Sequence, residues 1–459
     1  MDRVLDAWAE DDRRRPLLIR GARQVGKTYS VTALGRRRFA DVASINLERQ
    51  PRYRSCFDTL EPQEILDRIG VLRGKPVEPG RTLLFIDEIQ ACPAAVVALR
   101  YFYEDMPALH AIGAGSLLEF ALEAERISMP VGRIQPLFMH PVSFSEFLPA
   151  VGEEPALQAS RTLATGTSSA VHEHLIGLLQ TYLLLGGMPA VVAEYVETGS
   201  VARATRVQAA ITQTFRDDFG KYARASHHHH LDRVFLHAAR LVGRKFMYSK
   251  VDPDSRSRDL RSAVELLARA GVVHRICSTS GAGLPLGAEA DDRHYKLLMV
   301  DVGLMQNLSG ATEQLLDGDP MRIDDGAVAE QFVGQELLAH RSPYERPELF
   351  YWHRREKSSS AEVDYLVAAG GRVVPVEVKA GKAGRLRSLV VFAERYRPPV
   401  VVRVYADRLR RDDGIVSIPL YGLERLQPFL AETIDPGRVG TPGRAGTRPP
   451  ASPGTGGPW

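Results

Sequence analysis

Short apolar runs recur along the first third of the chain: Pro16-Leu17-Leu18-Ile19, Ala43-Ser44-Ile45-Asn46-Leu47, Thr82-Leu83-Leu84-Phe85-Ile86 and His110-Ala111-Ile112-Gly113. Runs this short and this apolar predict buried strands, and helical patterns at 28–34, 61–72 and 94–103 separate them. Strand and helix in alternation predict a parallel, doubly wound sheet, entered through a short helix within residues 1–15. Past residue 150 the alternation gives way to amphipathic patterns at 168–182 and 204–222. A further helix over 259–270 carries Leu260, Val264, Leu266 and Leu267 at helical spacing and stops at Gly271. Segments 272–276 and 295–300 then pair as a hairpin around the glycine-rich loop 281–287, an order that suits a winged helix. From Asp325 onward the pattern predicts an amphipathic helix over 328–339, strands near 350–353, 361–367 and 373–379, and a turn at Gly370-Gly371. After residue 433 Pro, Gly, Thr and Arg crowd the chain, and a disordered tail is expected.

The first run leads into Gly21-Ala22-Arg23-Gln24-Val25-Gly26-Lys27-Thr28, which fits G-x-x-x-x-G-K-[ST] at every fixed position. Glycines at 21 and 26 let consecutive backbone N–H groups turn inward on phosphate oxygens. Lys27 would reach the β- and γ-phosphates, and Thr28, opening a helix, would ligate Mg²⁺ where the helix dipole favours an anion. The run 82–86 ends in Asp87-Glu88, a Walker B pattern. Asp87 would hold Mg²⁺ through its water shell, and Glu88 would orient or deprotonate the attacking water. Ser116, after the fourth run, is either a polar sensor of the γ-phosphate or attacking water, or the cap of the next helix. Arg133 is either a stabiliser of charge on the transferred phosphoryl group or an ordinary surface residue.

The phosphate loop, Phe85-Ile86-Asp87-Glu88-Ile89-Gln90, Gly115-Ser116, Gly132-Arg133 and Pro141-Val142-Ser143-Phe144-Ser145-Glu146-Phe147 together resemble the bacterial and archaeal AAA-family ATP-binding proteins with a C-terminal domain of unknown function. Leu185-Gly186-Gly187-Met188-Pro189, Asp301-Val302-Gly303-Leu304, Glu362-Val363-Asp364 and Glu377-Val378-Lys379 fall in the family's order, so the likeness spans about residues 1–430. The resemblance implies ATP binding and hydrolysis. Gly113-Ala114 departs from the family, where a bulkier polar residue is expected, and this leaves the role of Ser116 open.

In the C-terminal unit, a helix followed by a hairpin with acids on adjacent strands resembles the PD-(D/E)xK nuclease superfamily. Asp364 and Glu377 would share one or two Mg²⁺ ions, and Lys379, two residues after Glu377 on the same strand face, would orient the nucleophile. Glu330 matches the helix acid of some members, and Lys382, Arg385 and Arg387 add positive charge downstream. The alternative is a scaffold of this kind whose acids are solvated or structural.

Composition sets the outer bounds. The chain has 459 residues, 44% hydrophobic and 25% charged, enough for two or three domains. A net charge of +3 permits nucleic-acid binding without requiring it. Cys56, Cys92 and Cys277 lie far apart, so neither a disulfide framework nor a cysteine zinc site is expected, and a reducing cytoplasm fits. The N-terminus lacks an apolar signal core, and Gln180 and Gly186-Gly187-Met188-Pro189 break the stretch 175–196, so no membrane span is expected. His227-His228-His229-His230 reads as a solvated turn rather than a metal site. Arg256, Arg258 and Arg261 would meet phosphates if the winged helix binds nucleic acid, and would be bystanders if it is a connector.

The expectation is therefore an α/β protein with a P-loop parallel-sheet ATPase domain at 1–150 and a helical and winged-helix region at 151–325. A smaller restriction-endonuclease-like α/β domain follows at 326–432, and a tail at 433–459. ATP and Mg²⁺ are the expected cofactors and nucleic acid the expected partner. An Arg133 acting in trans would require a homo-oligomer.

Overall fold

The computed structural model describes residues 1–435 except 117, 119–131, 163–165, 223–226, 311–325, 355–360, 382–385 and 413. The expectations placed on 436–459, on Lys382 and Arg385, on the helix after Ser116 and on the boundary at Asp325 lie outside the described residues.

Strands β1 (Leu17–Arg20), β2 (Asp41–Asn46), β3 (Thr82–Asp87), β4 (His110–Gly115) and β5 (Gln135–Phe138) form one sheet in the order β2-β3-β4-β1-β5. Every pairing in it is parallel. The two-residue period of a strand decides which layer each side chain enters. Leu83 and Phe85 pack with Val31, Leu34, Leu5 and Trp8, whereas Leu84 and Ile86 pack with Ile65, Ile69, Leu99 and Phe102 on the opposite face. Helices cover both faces, which is why these strands read as unbroken apolar runs. All carboxyl ends point the same way, so the phosphate loop after β1 and the acids after β3 share one edge.

Between Phe144 and Arg269 the described residues form mainly helices, at Phe144–Ala150, Glu154–Thr162, Ser169–Leu185, Pro189–Thr198, Val201–Asp217, His228–Arg240 and Ser257–Arg269. A capping box fixes the first, because the Ser143 side chain and Glu146 each satisfy the other's backbone N–H. The helix expected to run to residue 222 ends at Asp217, and a short helix Phe219–Tyr222 follows.

Strands β6 (Val273–Ser278) and β7 (Asp291–Met299) pair antiparallel, Val273 opposite Met299, in agreement with the expected hairpin. They are not a free-standing wing. The outer edge of β6 also pairs in parallel with β8 (Leu349–His353), Ile276 opposite Leu349, which satisfies backbone groups that a lone hairpin would leave open. With β9 (Glu362–Ala369), β10 (Arg372–Lys379), β11 (Val401–Tyr405), β12 (Arg410–Asp412) and β13 (Ile415–Pro419) they make an eight-stranded sheet in the order β12-β13-β11-β10-β9-β8-β6-β7. Gly370 and Gly371, at φ +54° and +72°, close the β9–β10 hairpin.

The helix Gly326–Ala339 departs from the amphipathic expectation. Every residue from Val328 to Leu338 is buried, so this is a core helix with satisfied polar positions. Gln331 Oε1 accepts from Met299 N at 2.9 Å and its Nε2 donates to Met299 O at 2.8 Å. Gln335 Oε1 accepts from Val302 N and Glu336 Oε1 from Phe144 N, both at 2.9 Å. The helix thus ties the C-terminal sheet to the helical region through directional bonds.

Candidate functional site

The phosphate loop folds as its glycines require. Gly21 and Gly26 sit at φ +152° and +97°, and Gln24 joins them at +65°. A Cβ on Gly21 would overlap Met139 O, so no larger residue fits there. Lys27 opens the helix Lys27–Arg38 and folds back over the loop, where its Nζ donates to Gly21 O at 2.9 Å and Ala22 O at 2.7 Å. Burial lowers the Lys27 ammonium to about 8, opposed by the charges of Glu88 and Asp87.

Asp87, at the end of β3, meets Thr28 across the sheet edge. Thr28 Oγ1 donates to Asp87 Oδ2 at 3.0 Å, and Asn46 Nδ2 donates to the same oxygen at 3.3 Å. Sequence reasoning missed Asn46. The signal was there, because Asn46 is the last residue of β2 and stands opposite Asp87 in the register. Glu88 adopts φ +50°, a conformation that costs a side-chain-bearing residue about 1–2 kcal/mol. Its N–H donates to Asp87 Oδ1 at 3.1 Å, and its carboxylate accepts from Gln90 Nε2.

Ser116 lies at the same edge, buried, with no hydrogen-bond partner for its hydroxyl among the described residues. It lines a cavity of about 880 Å³ with Arg20, Gly21, His140, Arg269 and His274. Arg133 is the correction. It precedes β5 at the amino ends of the strands, opposite the phosphate loop, and its Nε donates to Glu104 Oε1 at 2.7 Å. Because the parallel strands hold these two ends apart, Arg133 does not meet the site of its own chain.

The helical region grips the loop at three points. Arg23 Nη1 donates to Asp218 Oδ1 at 3.1 Å. The position of a Cβ on Gly26 lies 3.4 Å from Pro189 Cγ, and that of one on Gly271 lies 3.2 Å from Ala22 N. Buried Asp301 sets the turn before Pro189, since its Oδ2 accepts from Gly187 N at 2.6 Å while its Oδ1 accepts from Leu304 N at 3.0 Å.

In the C-terminal sheet, Asp364 on β9 and Glu377 and Lys379 on β10 come together as expected, and Glu330 joins them from its helix. Asp364 Oδ2 accepts from Val378 N at 2.8 Å, and Lys379 Nζ donates to Glu377 Oε1 at 2.7 Å. Burial and the neighbouring Asp364 charge push the Glu377 carboxyl up to about 7. The residue that sequence reasoning missed is Lys296 on β7. It is 0% exposed, and its Nζ lies 2.8 Å from Glu330 Oε1, 2.6 Å from Glu362 Oε1 and 3.7 Å from Asp364 Oδ1. Burial alone would lower this ammonium, but the three carboxylates outweigh it and hold Lys296 well above the usual lysine range. Among the described residues no set of three His, Cys, Asp or Glu side chains is arranged to hold a metal ion. The acids are drawn to an ammonium instead.

Arg256, Arg258 and Arg261 are exposed around the first turn of their helix. Three of the four consecutive histidines open the helix His228–Arg240, and His230 is buried in it beside Ser255 rather than in a solvated turn. The three cysteines are free. Among the described residues no helix is long and apolar enough to cross a membrane.

Three family models match the chain: an AAA domain over residues 13–148, and two domains of unknown function, DUF8612 over 176–315 and DUF4143 over 325–423. A comparison with curated proteins returned no match. Among solved structures, a Walker-type ATPase of Pyrococcus abyssi is 16% identical with a TM-score of 0.41, covering 67% of this chain and 94% of that one. The ORC2 protein of Aeropyrum pernix, in ADPNP and ADP complexes, is 12% identical with a TM-score of 0.31, covering 69% and 94%. Scores this low leave the assignment to the family model and to the geometry above. The N-terminal part of the chain is an AAA-type domain built on a parallel α/β sheet.

Proposed function

We propose that the protein is an ATPase that binds ATP with Mg²⁺ at the edge shared by the phosphate loop and β3. The observation that carries this reading is the Thr28–Asp87 pair, 3.0 Å apart beside Lys27. A hydroxyl and a carboxylate at the mouth of a loop rich in backbone N–H groups suit a hard, oxygen-seeking cation next to a polyphosphate. Thr28 and Asp87 would hold Mg²⁺, which supplies positive charge to the phosphate oxygens. Lys27 adds a second charge, and the loop N–H groups orient the phosphates. Glu88 is the residue to orient or deprotonate the attacking water, for which its carboxylate must leave Gln90. Ser116, whose hydroxyl has no partner among the described residues, is available to bond the γ-phosphate or that water.

Turnover would be relayed through the helical region, which touches the loop at Arg23, Gly26 and Ala22, to a nuclease-like C-terminal unit acting on nucleic acid. A second reading has that unit bind nucleic acid or a protein partner without cutting, and Lys296 among its acids favours it. Lys27→Ala should abolish ATP binding, and Glu88→Gln should bind ATP but fail to turn it over. Unchanged turnover in both variants would rule the ATPase out. Mg²⁺-dependent cleavage of nucleic acid, lost in Asp364→Ala and Lys379→Ala, would decide for the cutting form.

A further inference from the structure

Buried hydrogen-bond donors in folded proteins are paired, so a buried donor without an acceptor asks for an explanation. Two such donors line the cavity beside the phosphate loop, one from each of the two sheets. Ser116, directly after β4, is 9% exposed, and its Oγ has no partner among the described residues. Arg275, on β6, donates from Nη2 to Asp292 O at 3.0 Å, and its guanidinium lies 4.6 Å from the centre of the Tyr295 ring. Its Nε is also buried and has no acceptor among the described residues. His140, just past β5, and His274, on β6, line the same cavity with ring centres 6.0 Å apart. Burial lowers them to about 4 and about 3, so near neutral pH each ring is uncharged and carries one N–H. The positive charge comes from arginine. Arg20, Arg269 and Arg346 join Arg275 in the lining, against Glu265, Glu348 and the Asp292 that Arg275 already engages.

This cavity is not the mouth of the loop. Among the described residues, none of Lys27, Thr28, Asp87 and Glu88 lines it. It begins instead at Gly21 and Ala22, the two residues whose carbonyls hold Lys27 Nζ. We propose that the cavity is a second phosphate site, in which Ser116 and Arg275 bind the oxyanion of orthophosphate or of a phosphorylated small molecule. Both unpaired groups are donors, so the complementary ligand is rich in acceptors and is not a metal cation. Phosphate oxygens meet that need, and arginine is the side chain best shaped to bond them. A volume of about 880 Å³ lies within the range of small-molecule sites, about 300–1,000 Å³, and leaves room for an ester as well as the free ion. The site itself does not depend on the loop being an ATP cradle. Its place on the γ-phosphate side, where orthophosphate leaves after hydrolysis, rests on that reading.

The test is calorimetric titration of the full chain with orthophosphate and, separately, with ribose 5-phosphate, without nucleotide or Mg²⁺. It is run in Lys27→Ala, which weakens any binding of phosphate by the loop. That variant should bind at least one of the two probes saturably, and adding Arg275→Gln should weaken the binding by about tenfold or more. Tighter binding of orthophosphate identifies the product of hydrolysis as the ligand, and tighter binding of ribose 5-phosphate identifies a phosphorylated small molecule; either supports the proposal. No saturable binding of either probe by Lys27→Ala would overturn it, as would equal binding with and without the Arg275 guanidinium. Should Arg275→Gln fail to fold, Ser116→Ala in the same background is held to the same result. ATP turnover plays no part in the readout, so a failure of the ATPase reading would leave it unaffected.

Discussion

The Arg23–Asp218 pair is where the phosphate loop is tied to the helical region, and its strength follows from its geometry. Arg23 Nη1 lies 3.1 Å from Asp218 Oδ1 and 2.9 Å from Oδ2, with Asp218 buried and Glu48 a looser partner at 3.7 Å. At about 3 Å and an effective dielectric of about 20, Coulomb attraction is about 5–6 kcal/mol before desolvation. Withdrawing both groups from water removes most of that, and a charge-assisted hydrogen bond in such a place contributes about 1.5–3 kcal/mol net. Arg23→Met should cost more than Asp218→Asn. The first takes from the buried carboxylate the guanidinium it accepts from, whereas the second leaves Arg23 with Glu48. The assay is a double-mutant cycle on the midpoint of thermal unfolding, with single losses of about 3–10 °C at roughly 2–4 °C per kcal/mol. The double variant should be no less stable than Arg23→Met alone. If the two losses instead add to within about 0.5 kcal/mol, the pair is not coupled and the loop is not held from the helical side.

Three further outcomes follow from buried groups. Gly186 sits at φ +72° against Asp301, and a Cβ there would overlap Oδ1. Gly186→Ala should therefore cost about 2–4 kcal/mol, read as a lowered unfolding midpoint, and a neutral result would show that the turn before Pro189 is not fixed by Asp301. Burial pushes Asp301 up to about 6, so between about pH 4 and 6 the folded chain keeps a proton that the unfolded chain has released. Stability should fall across that window as pH rises, by about 3 kcal/mol more in the wild type than in Asp301→Asn, and parallel pH profiles would refute it. Burial lowers His140 to about 4 and His274 to about 3, so below about pH 6.5 the unfolded chain takes protons first and stability falls with pH. His274→Gln should flatten that acid limb, and an unchanged limb would count against the desolvation of the pair.

What could be read from the sequence was what lies close along the chain or follows a strand's period. The phosphate loop, the apolar β3 ending in Asp87 and the β9–β10 hairpin with its two glycines are local, and each formed where its pattern placed it. Lys296 carried no such signal, because even Glu330, the nearest in sequence of its three partner acids, lies 34 residues away and nothing in their spacing brings them together. The pairing of β6 with β8 is hidden for the same reason, so a hairpin that completes a larger sheet reads as a wing. Gly326–Ala339 misled in another way. Its glutamines and glutamates suggest a solvated face, whereas Gln331, Gln335 and Glu336 satisfy distant backbone groups inside the core and Glu330 pairs with Lys296. Arg133 reads from the sequence either as a stabiliser of phosphoryl charge or as an ordinary surface residue, and only the direction of the strands shows that it lies at the far edge.

The central claim, that Thr28 and Asp87 hold the metal of a nucleotide gripped by the phosphate loop, is tested most directly by calorimetric titration with a non-hydrolysable ATP analogue, with and without Mg²⁺. The wild type should bind, Mg²⁺ should strengthen that binding, and Asp87→Asn should lose the strengthening while still folding. A wild type that does not bind the analogue, or an Asp87→Asn variant with an unaltered Mg²⁺ response, would contradict the account.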